Sequence, residues 1–364
     1  MADGPEAPMT SRPQAHTTPR SEAPLTQGAP ARVTLAEVAA LAGVSVGTAS
    51  KALNDRGSMR EETRARVRQV ADRLGFQVDA VARSLQTGRS YTVGMITTDS
   101  IGRFSIPVML GVEDTLGAGQ MSVLLCDARD DRIREQYYLK TLISRRVDGI
   151  IVTGRRTDPR PALAQKPPVP VVYAFMPSTD PADCSIVPDE ADGARRAVAH
   201  LLDTGRQHVA IVAGPERHHS ARVRVDSATA TLAAAGLEPA GAALFGEWSE
   251  AWGRQAAGIL LRRDPDLDAA FCASDQIARG MVDGLREAGR RVPGEVAVVG
   301  FDNWQVMTAA TRPPLTSVDM DLEGLGRDAA GLLLAAIDGS PRPGVHLHPC
   351  RLAIRESTAN GEAV

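Results

Sequence analysis

Cysteine is scarce in this 364-residue chain: Cys126, Cys184, Cys272 and Cys350 are widely scattered and form no CxxC pair. Such spacing excludes a disulfide framework and suits a reducing compartment, so a cytoplasmic location is expected. No apolar run approaches the roughly 18 residues of a membrane helix, which excludes a membrane span of that kind. The first thirty residues, rich in Pro, Ala, Ser and Thr, also lack the hydrophobic stretch of a secretory signal. Residues 1–30 therefore read as a disordered tail with Arg12 and Arg20 solvated. Catalytic signatures are missing too: there is no HExxH, no glycine-rich P-loop and no GxSxG elbow. Two groups remain as metal candidates, His218–His219 and the alternating His346, His348 and Cys350, which period two places on one strand face. Pro341, Pro343 and Pro349 make an edge strand the simpler account of the second group, and the first reads as the rim of a crevice. No metal, no cofactor and no enzymatic activity is expected.

What is present is concentrated between Thr34 and Leu53, in the string TLAEVAALAGVSVGTASKAL. Thr34 and Glu37 have capping-box spacing, and Leu35, Val38, Ala39 and Leu41 follow as an apolar face. Gly43 supplies a tight corner. Ser45 caps a second short helix that carries Val46, Gly47, Thr48, Ser50 and Lys51. Small residues at Ala39 and Ala49 let the two helices cross closely. A second helix displayed in this way fits the DNA major groove, and the bland alternative is an ordinary helical hairpin. Ser58 and Glu61 repeat the capping-box spacing before a helix with Val67, Val70 and Leu74 as its stripe. Residues 79–90 then combine a cap, Asp79, an i,i+4 pair, Val81 and Leu85, and a stop, Gly88. A helix of about eight residues is too short to persist alone in water and forms only against a partner. Two copies of it, one per subunit, would bury Val81 against its mate and press Leu85 into a minor-groove step; a plain linker is the alternative.

Charge follows the same division. Residues 31–90 hold ten Lys/Arg against six Asp/Glu, a net of +4, whereas the first thirty residues carry −1 and residues 91–364 carry −6. Positive charge lies where phosphates would be met, and the larger remainder repels them.

From residue 91 the chain alternates short apolar runs with amphipathic segments. The runs are TVGMITT (92–98), MSVLLCD (121–127), DGIIVTG (148–154), PVVYAF (170–175), HVAIVAG (208–214), DAAFCAS (268–274) and EVAVVGFD (295–302). Strands apolar on both faces and separated by helices imply buried parallel sheets. Seven or more such units over about 270 residues exceed one sheet, so two doubly wound lobes are expected, with a ligand held outside the carboxyl ends of the strands. LTSVDMD (315–321) would carry the chain back, and the helix of 322–337 would join the first lobe. Polar and aromatic residues at strand ends then become ligand candidates: Thr98, Asp99 and Phe104, Phe175, Arg222 and Arg224, and Asp302 with Asn303. Each has a structural alternative, such as Arg224 on a helix surface, Trp248 as a packed loop anchor or Asp302 as a helix cap.

Residues 33–90 resemble the DNA-binding head and hinge of the lactose-repressor (LacI/GalR) family, through VTLAEVAALAGVS, TASKALN, TRARVRQVADRLGF and AVARSL. Residues 91 to about 358 resemble the periplasmic sugar-binding fold that forms the core of that family. The resemblance implies an N-terminal all-α helix–turn–helix head (31–78), a hinge helix (79–90) and an α/β two-lobed periplasmic-binding-protein-like core of doubly wound parallel sheets (91–358), before a short tail (359–364). It also implies a homodimer on double-stranded, pseudo-palindromic operator DNA, controlled by a small-molecule effector between the lobes. Val46, Gly47 and Lys51 match base-reading positions. Thr34, Ser45, Thr48, Ser50, Asn54, Ala82 and the wedge Leu85 complete the expected DNA contacts, while Asp79 replaces the usual asparagine. In the core, Arg224 matches the ligand arginine of the family, a planar fork able to grip vicinal oxygens, and Asp302 matches the acid of its GYD/GFD motif. Trp248 matches a stacking aromatic. SDQIARG places Ser274 and Asp275 on the NDxxAxG motif with serine replacing asparagine, and Met320 stands where glutamine is frequent. An arginine, an acid and an aromatic suit a sugar, with a nucleoside or purine as the alternative effector. A transporter's solute-binding protein would share the core but would need a secretory signal and have no use for residues 34–85. Activator and repressor would share the same DNA chemistry. No heptad tail follows Ile354, which disfavours a coiled-coil tetramer.

Overall fold

The computed structural model describes residues 33–53, 57–76, 88–117 and 121–359. The expected tail of residues 1–30, Asn54, and the hinge positions Asp79, Val81, Ala82 and Leu85 lie outside the described residues. The chain divides into two compact units, residues 1–79 and 80–364.

In the first unit, helices α1 (Leu35–Ala42), α2 (Val46–Leu53) and α3 (Glu61–Leu74) enclose Val38, Ala39, Ala42, Ala49, Ala52, Val67 and Ala71. Alanine dominates this core, so the helix axes approach closely, with Ala39 and Ala49 both buried at the crossing. Thr34 and Glu37 form the expected capping box: the Thr34 amide donates to Glu37 Oε2 (2.7 Å), and Thr34 Oγ1 accepts from the Glu37 amide (3.4 Å). Gly43 ends α1 in the left-handed region (φ 65°), which lets the chain turn within three residues. Ser45 Oγ accepts from the Thr48 amide (3.1 Å) and starts α2.

Two expectations for this unit fail. Leu41 is 65% exposed, because at about 100° per residue it lies off the arc of Leu35, Val38 and Ala42, and Ala42 is the residue buried. Ser58 does not cap α3 either. The helix begins at Glu61 after Arg60, which gives no side-chain cap, so Glu61 is the first helical residue and stands two positions too early for a capping box.

The second unit holds two six-stranded sheets. The first contains, in spatial order, β11 (Gly344–His348), β5 (Cys184–Pro188), β4 (Val171–Ala174), β3 (Gly149–Thr153), β1 (Thr92–Thr97) and β2 (Ser122–Asp127), all parallel. The second runs β12 (Arg351–Ala353), β10 (Thr316–Asp319), β9 (Ala297–Phe301), β8 (Ala269–Cys272), β6 (Val209–Ala213) and β7 (Leu244–Phe245), parallel except for the antiparallel edge strand β12. The chain passes between the lobes three times: from β5 into helix α6 (Glu190–Asp203), from β10 into helix α11 (Leu322–Ile337), and from β11 to β12. As expected, α11 returns to the first lobe, where Leu325, Ala329 and Leu333 join Val93, Met95 and Val108. The edge strand expected around His346 is β11. The short strands β5, β7 and β12 were not anticipated.

Each lobe contains a helix pair in very close contact. In the first, α4 (Ser105–Gly117) crosses α11 through Gly111 and Gly326, where a Cβ would stand 1.9 Å from the Glu323 carbonyl and 2.1 Å from that of Val108. In the second, α8 (Glu250–Arg263) crosses α9 (Asp275–Glu287) through Gly253 and Gly280, with equivalent separations of 2.0 and 1.9 Å from Ile277 and Glu250 carbonyls. At the start of the unit, Asp148 accepts from the amides of Ser90 (2.8 Å) and Tyr91 (2.7 Å), and Arg89 pairs with Asp338 (2.5 Å). These bonds fix the incoming chain to the first lobe. No helix among the described residues is long and apolar enough to cross a membrane.

Candidate functional site

The carboxyl ends of both sheets face one crevice, because parallel strands direct all their following loops to one edge. A cavity of about 110 Å³ lies there. Its first-lobe wall comes from the loop after β1 (Arg103, Phe104), the loop after β3 (Arg155, Arg156, Thr157) and the end of β4 (Phe175). The second-lobe wall uses Ser220 and Arg224 of helix α7 (His219–Ala234), Trp248 before α8, Ser274 and Gln276 at the start of α9, and Asp302 after β9.

Arg224 is buried and stacks over the Phe301 ring at 3.6 Å. Nε donates to Glu190 Oε1 (3.0 Å), as does Nη2. Nη1 donates to the Ala273 carbonyl (2.6 Å) and to Asp302 Oδ1 (3.2 Å), and Nη2 also lies 3.9 Å from Met320 Sδ. A guanidinium has five N–H donors, and all five have protein partners. The expected forked grip of Arg224 on ligand oxygens is therefore already taken up by the protein, which is a correction. Burial alone would lower the Arg224 pKa, but the Glu190 and Asp302 carboxylates override it and raise the value. Glu190 Oε2 in turn accepts from Thr157 Oγ1 (2.8 Å), which ties this network to the first lobe.

Asp302 is held from both sides, by Arg224 on Oδ1 and by Arg103 on Oδ2. Arg103 reaches across from the first lobe, donates to Gln276 Oε1 (3.1 Å) and lies over the rings of Trp304 (4.3 Å) and Phe104 (4.7 Å). Phe104 stacks on Phe175 with ring centroids 4.8 Å apart. Phe175 (φ 76°) and Asp302 (φ 101°) both end their strands in the left-handed region, a cost of about 1–3 kcal/mol each that clusters at ligand sites. The Trp248 ring lies flat on Gly214, where a Cβ would stand 2.2 Å away, and its Nε1 donates to His218 Nδ1 (2.8 Å). Burial lowers the His218 pKa, which keeps that nitrogen an acceptor. The Arg103–Asp302 pair also borders a second, outer hollow of about 430 Å³ on the side of Trp304 and Leu322. The inner cavity alone is below the roughly 300–1,000 Å³ of ordinary ligand pockets, and the Arg103–Asp302 pair separates it from the outer hollow.

Six predicted ligand residues meet at the cavity: Phe104, Phe175, Arg224, Trp248, Ser274 and Asp302. Four do not reach it. Asp99 is a cap whose Oδ2 accepts from the amides of Phe104 (2.8 Å) and Ser105 (3.0 Å), so it positions Phe104 from behind. Arg222 points to solvent and donates to the Glu216 carbonyl (3.0 Å), because two residues along a helix are about 200° apart. Met320 is fully buried beneath Arg224. Asp275 is buried as well, accepting from Ser317 Oγ (2.5 Å) and the Trp304 amide (2.6 Å), and it braces the turn that presents Asp302. Burial first, and then the charge of Asp302, push the Asp275 carboxyl well above the usual carboxylate range.

Arg103, Arg155, Arg156, Thr157, Ser220 and Gln276 line the cavity without having been anticipated, and Glu190 stands behind it. A strand-end signal existed for Arg155–Thr157, directly after DGIIVTG. Glu190 had none, because β5 before it was not recognised. His346 meets the Arg342 carbonyl (3.1 Å) and His348 meets Asp328 (2.8 Å). Among the described residues, no cluster of His, Cys, Asp or Glu is placed to hold a metal.

In the first unit, Val46, Gly47 and Lys51 lie exposed on α2, with Thr48 and Ser50 half-buried beside them, while Ala49 and Ala52 fill the opposite, buried side. The exposed Ser45 and Thr34 stand at the starts of α2 and α1.

The family model "Bacterial regulatory proteins, lacI family" matches residues 34–79, and the model "Periplasmic binding protein-like domain" matches residues 198–358. The HTH-type transcriptional regulator CelR of Thermobifida fusca is 34% identical over 336 residues, 90% of this chain and 98% of the relative. The chain belongs to the lacI family of bacterial regulatory proteins. The ribose operon repressor of Escherichia coli is 31% identical over 84% of the chain and 93% of its own length. Among solved structures, a CelR–cellobiose complex superposes with a TM-score of 0.62 at 30% identity, covering 90% of this chain and 100% of that one. A lac repressor dimer bound to operator superposes with a TM-score of 0.68 at 27% identity over the same shares. The chain is thus a DNA-binding transcriptional regulator with a two-lobed effector core.

Proposed function

We propose that the regulator is a cytoplasmic repressor, not an enzyme, that binds a pseudo-palindromic operator as a homodimer and is controlled by a carbohydrate in the cleft. The observation that carries this reading is the presence, in one chain, of an exposed reading helix and of a cavity lined by three aromatic side chains, four arginines and an acid. Val46 supplies an apolar contact for a thymine methyl, and Lys51 a donor for guanine. Thr34, Ser45, Thr48, Ser50 and Asn54 bond phosphates or base edges around them, and Leu85, beside Ala82, wedges the minor groove. The first lobe leaves Ile106, Leu110 and Leu125 partly exposed on α4 and on the edge strand β2, a surface suited to pairing with a second copy. In the cleft, Phe104, Phe175 and Trp248 offer faces to a sugar ring, as Asp302 and Ser274 offer polar contacts. The CelR–cellobiose likeness supports the same class of ligand.

Effector binding changes the angle between lobes, and the bonds of Asp148 and Asp338 to residues 89–91 pass that change to the hinge. A coupling of about 1–3 kcal/mol would alter operator affinity roughly 5–150-fold. The test is selection of binding sites from random DNA, followed by mobility shift with a panel of sugars and nucleosides. One two-fold related site and its release or retention by a sugar are expected. Failure to separate any site from random DNA at low ionic strength would end the proposal.

A further inference from the structure

The hydrogen-bonding capacity left on the cavity wall is lopsided. Every side-chain carboxylate or amide oxygen there already carries a donor: Asp302 Oδ1 has Arg224, Asp302 Oδ2 has Arg103, and Gln276 Oε1 has Arg103 at 3.1 Å. Behind the wall, both oxygens of Glu190 are occupied by Arg224 and Thr157. Donors, by contrast, are in surplus. Arg103 Nε is buried with no hydrogen-bond partner among the described residues. Among the described residues, Arg155 meets Asp130 through Nη2 at 3.4 Å, and Arg156 meets Asp158 through Nε at 3.2 Å. Both arginines are about half exposed, line the cavity from the loop after β3, and have further N–H groups to give. Four arginines line the cavity against one carboxylate.

A neutral sugar hydroxyl needs an acceptor as often as a donor, and beyond Asp302 and Gln276 this wall offers the hydroxyls of Thr157, Ser220 and Ser274 as its side-chain acceptors. A group rich in acceptors, carrying negative charge, fits it. Guanidinium forks bind carboxylate and phosphate oxygens in pairs, with bonds roughly twice as strong as neutral ones. We infer that the effector is an anionic carbohydrate, a sugar ring bearing a carboxylate or a phosphate, with Arg155 and Arg156 taking the anionic group. Phe104, Phe175 and Trp248 hold the ring. The inference rests on the carbohydrate reading above and narrows it to charged members of that class.

The test uses the full chain and matched ligands that differ only in the charged group. Glucose is compared by calorimetry with glucuronate and with glucose 6-phosphate, and galactose with galacturonate and galactose 6-phosphate. A charged member should bind about tenfold tighter than its neutral parent, the worth of one charge-assisted hydrogen bond. The carboxylate and phosphate arms identify which anion is taken. In the Arg155→Gln/Arg156→Gln double variant the preference should fall to near parity, with circular dichroism confirming the fold. Equal binding of charged and neutral members, or a preference that survives in the double variant, overturns the anion assignment while the carbohydrate reading stands. A panel in which no sugar of either kind binds overturns both.

Discussion

The two lobes of the core are built alike, each a doubly wound sheet with a glycine-notched helix crossing, yet they offer the cleft different walls. The second lobe contributes a finished network: Arg224 buried between Glu190 and Asp302, and Asp275 bracing the turn behind them. The first lobe contributes arginines on loops, two of them half exposed and weakly paired. One wall is braced by buried ion pairs and hydrogen bonds, and the other carries side chains that are half exposed and lightly held. Shared topology therefore does not imply shared work; the loops at the strand ends divide it.

The sharpest break in this comparison comes from removing an arginine on each side. Arg224→Ala leaves Glu190 and Asp302 buried without their cation, and should cost about 3–5 kcal/mol in urea unfolding. Arg155→Ala removes a solvated pair and should cost less than about 1 kcal/mol. Equal costs would mean that Arg224 is not buried as described. The helix crossings should instead behave alike. Gly253→Ala and Gly111→Ala each press a methyl group onto a backbone carbonyl at 2.0 and 1.9 Å, and each should lower stability by about 1–3 kcal/mol. A marked difference in denaturation midpoint between the two variants would show that one lobe relaxes where the other cannot.

The smallest effect is a pH dependence confined to the second lobe. The folded Asp275 carboxyl titrates above its unfolded value of about 3.9, so its stabilising contribution is complete below that value and is lost as pH rises through the folded one. Asp275→Asn removes this loss. The melting temperature of the variant should therefore gain on that of the parent as pH rises above roughly 4. A difference that stays constant with pH would place the carboxyl at its ordinary value.

Local signals were legible in the sequence because their physics is local. The capping box at Thr34 and the corner at Gly43 involve residues within four positions of each other, and the buried parallel strands announce themselves as apolar runs. β5, β7 and β12 escaped because CSIVP mixes polar residues and proline into five positions, and the other two span only two and three residues. Within the site, the sequence located the right loops but not the right side chains. Arg222 and Arg224, or Ser274 and Asp275, are near neighbours in sequence that point in different directions. Arg103 sits between two residues that drew attention, and only the closed crevice shows that it reaches the opposite lobe.

The three passages of the chain between lobes bear on how a gene for such a regulator tolerates damage. β11 and β12, the last strands made, form an outer edge of the first and the second sheet respectively. A frameshift anywhere before Gly344 thus strips a border strand from both halves of the sensor, however much sequence precedes it. Late truncations should behave as complete losses of signal response, not as partial ones.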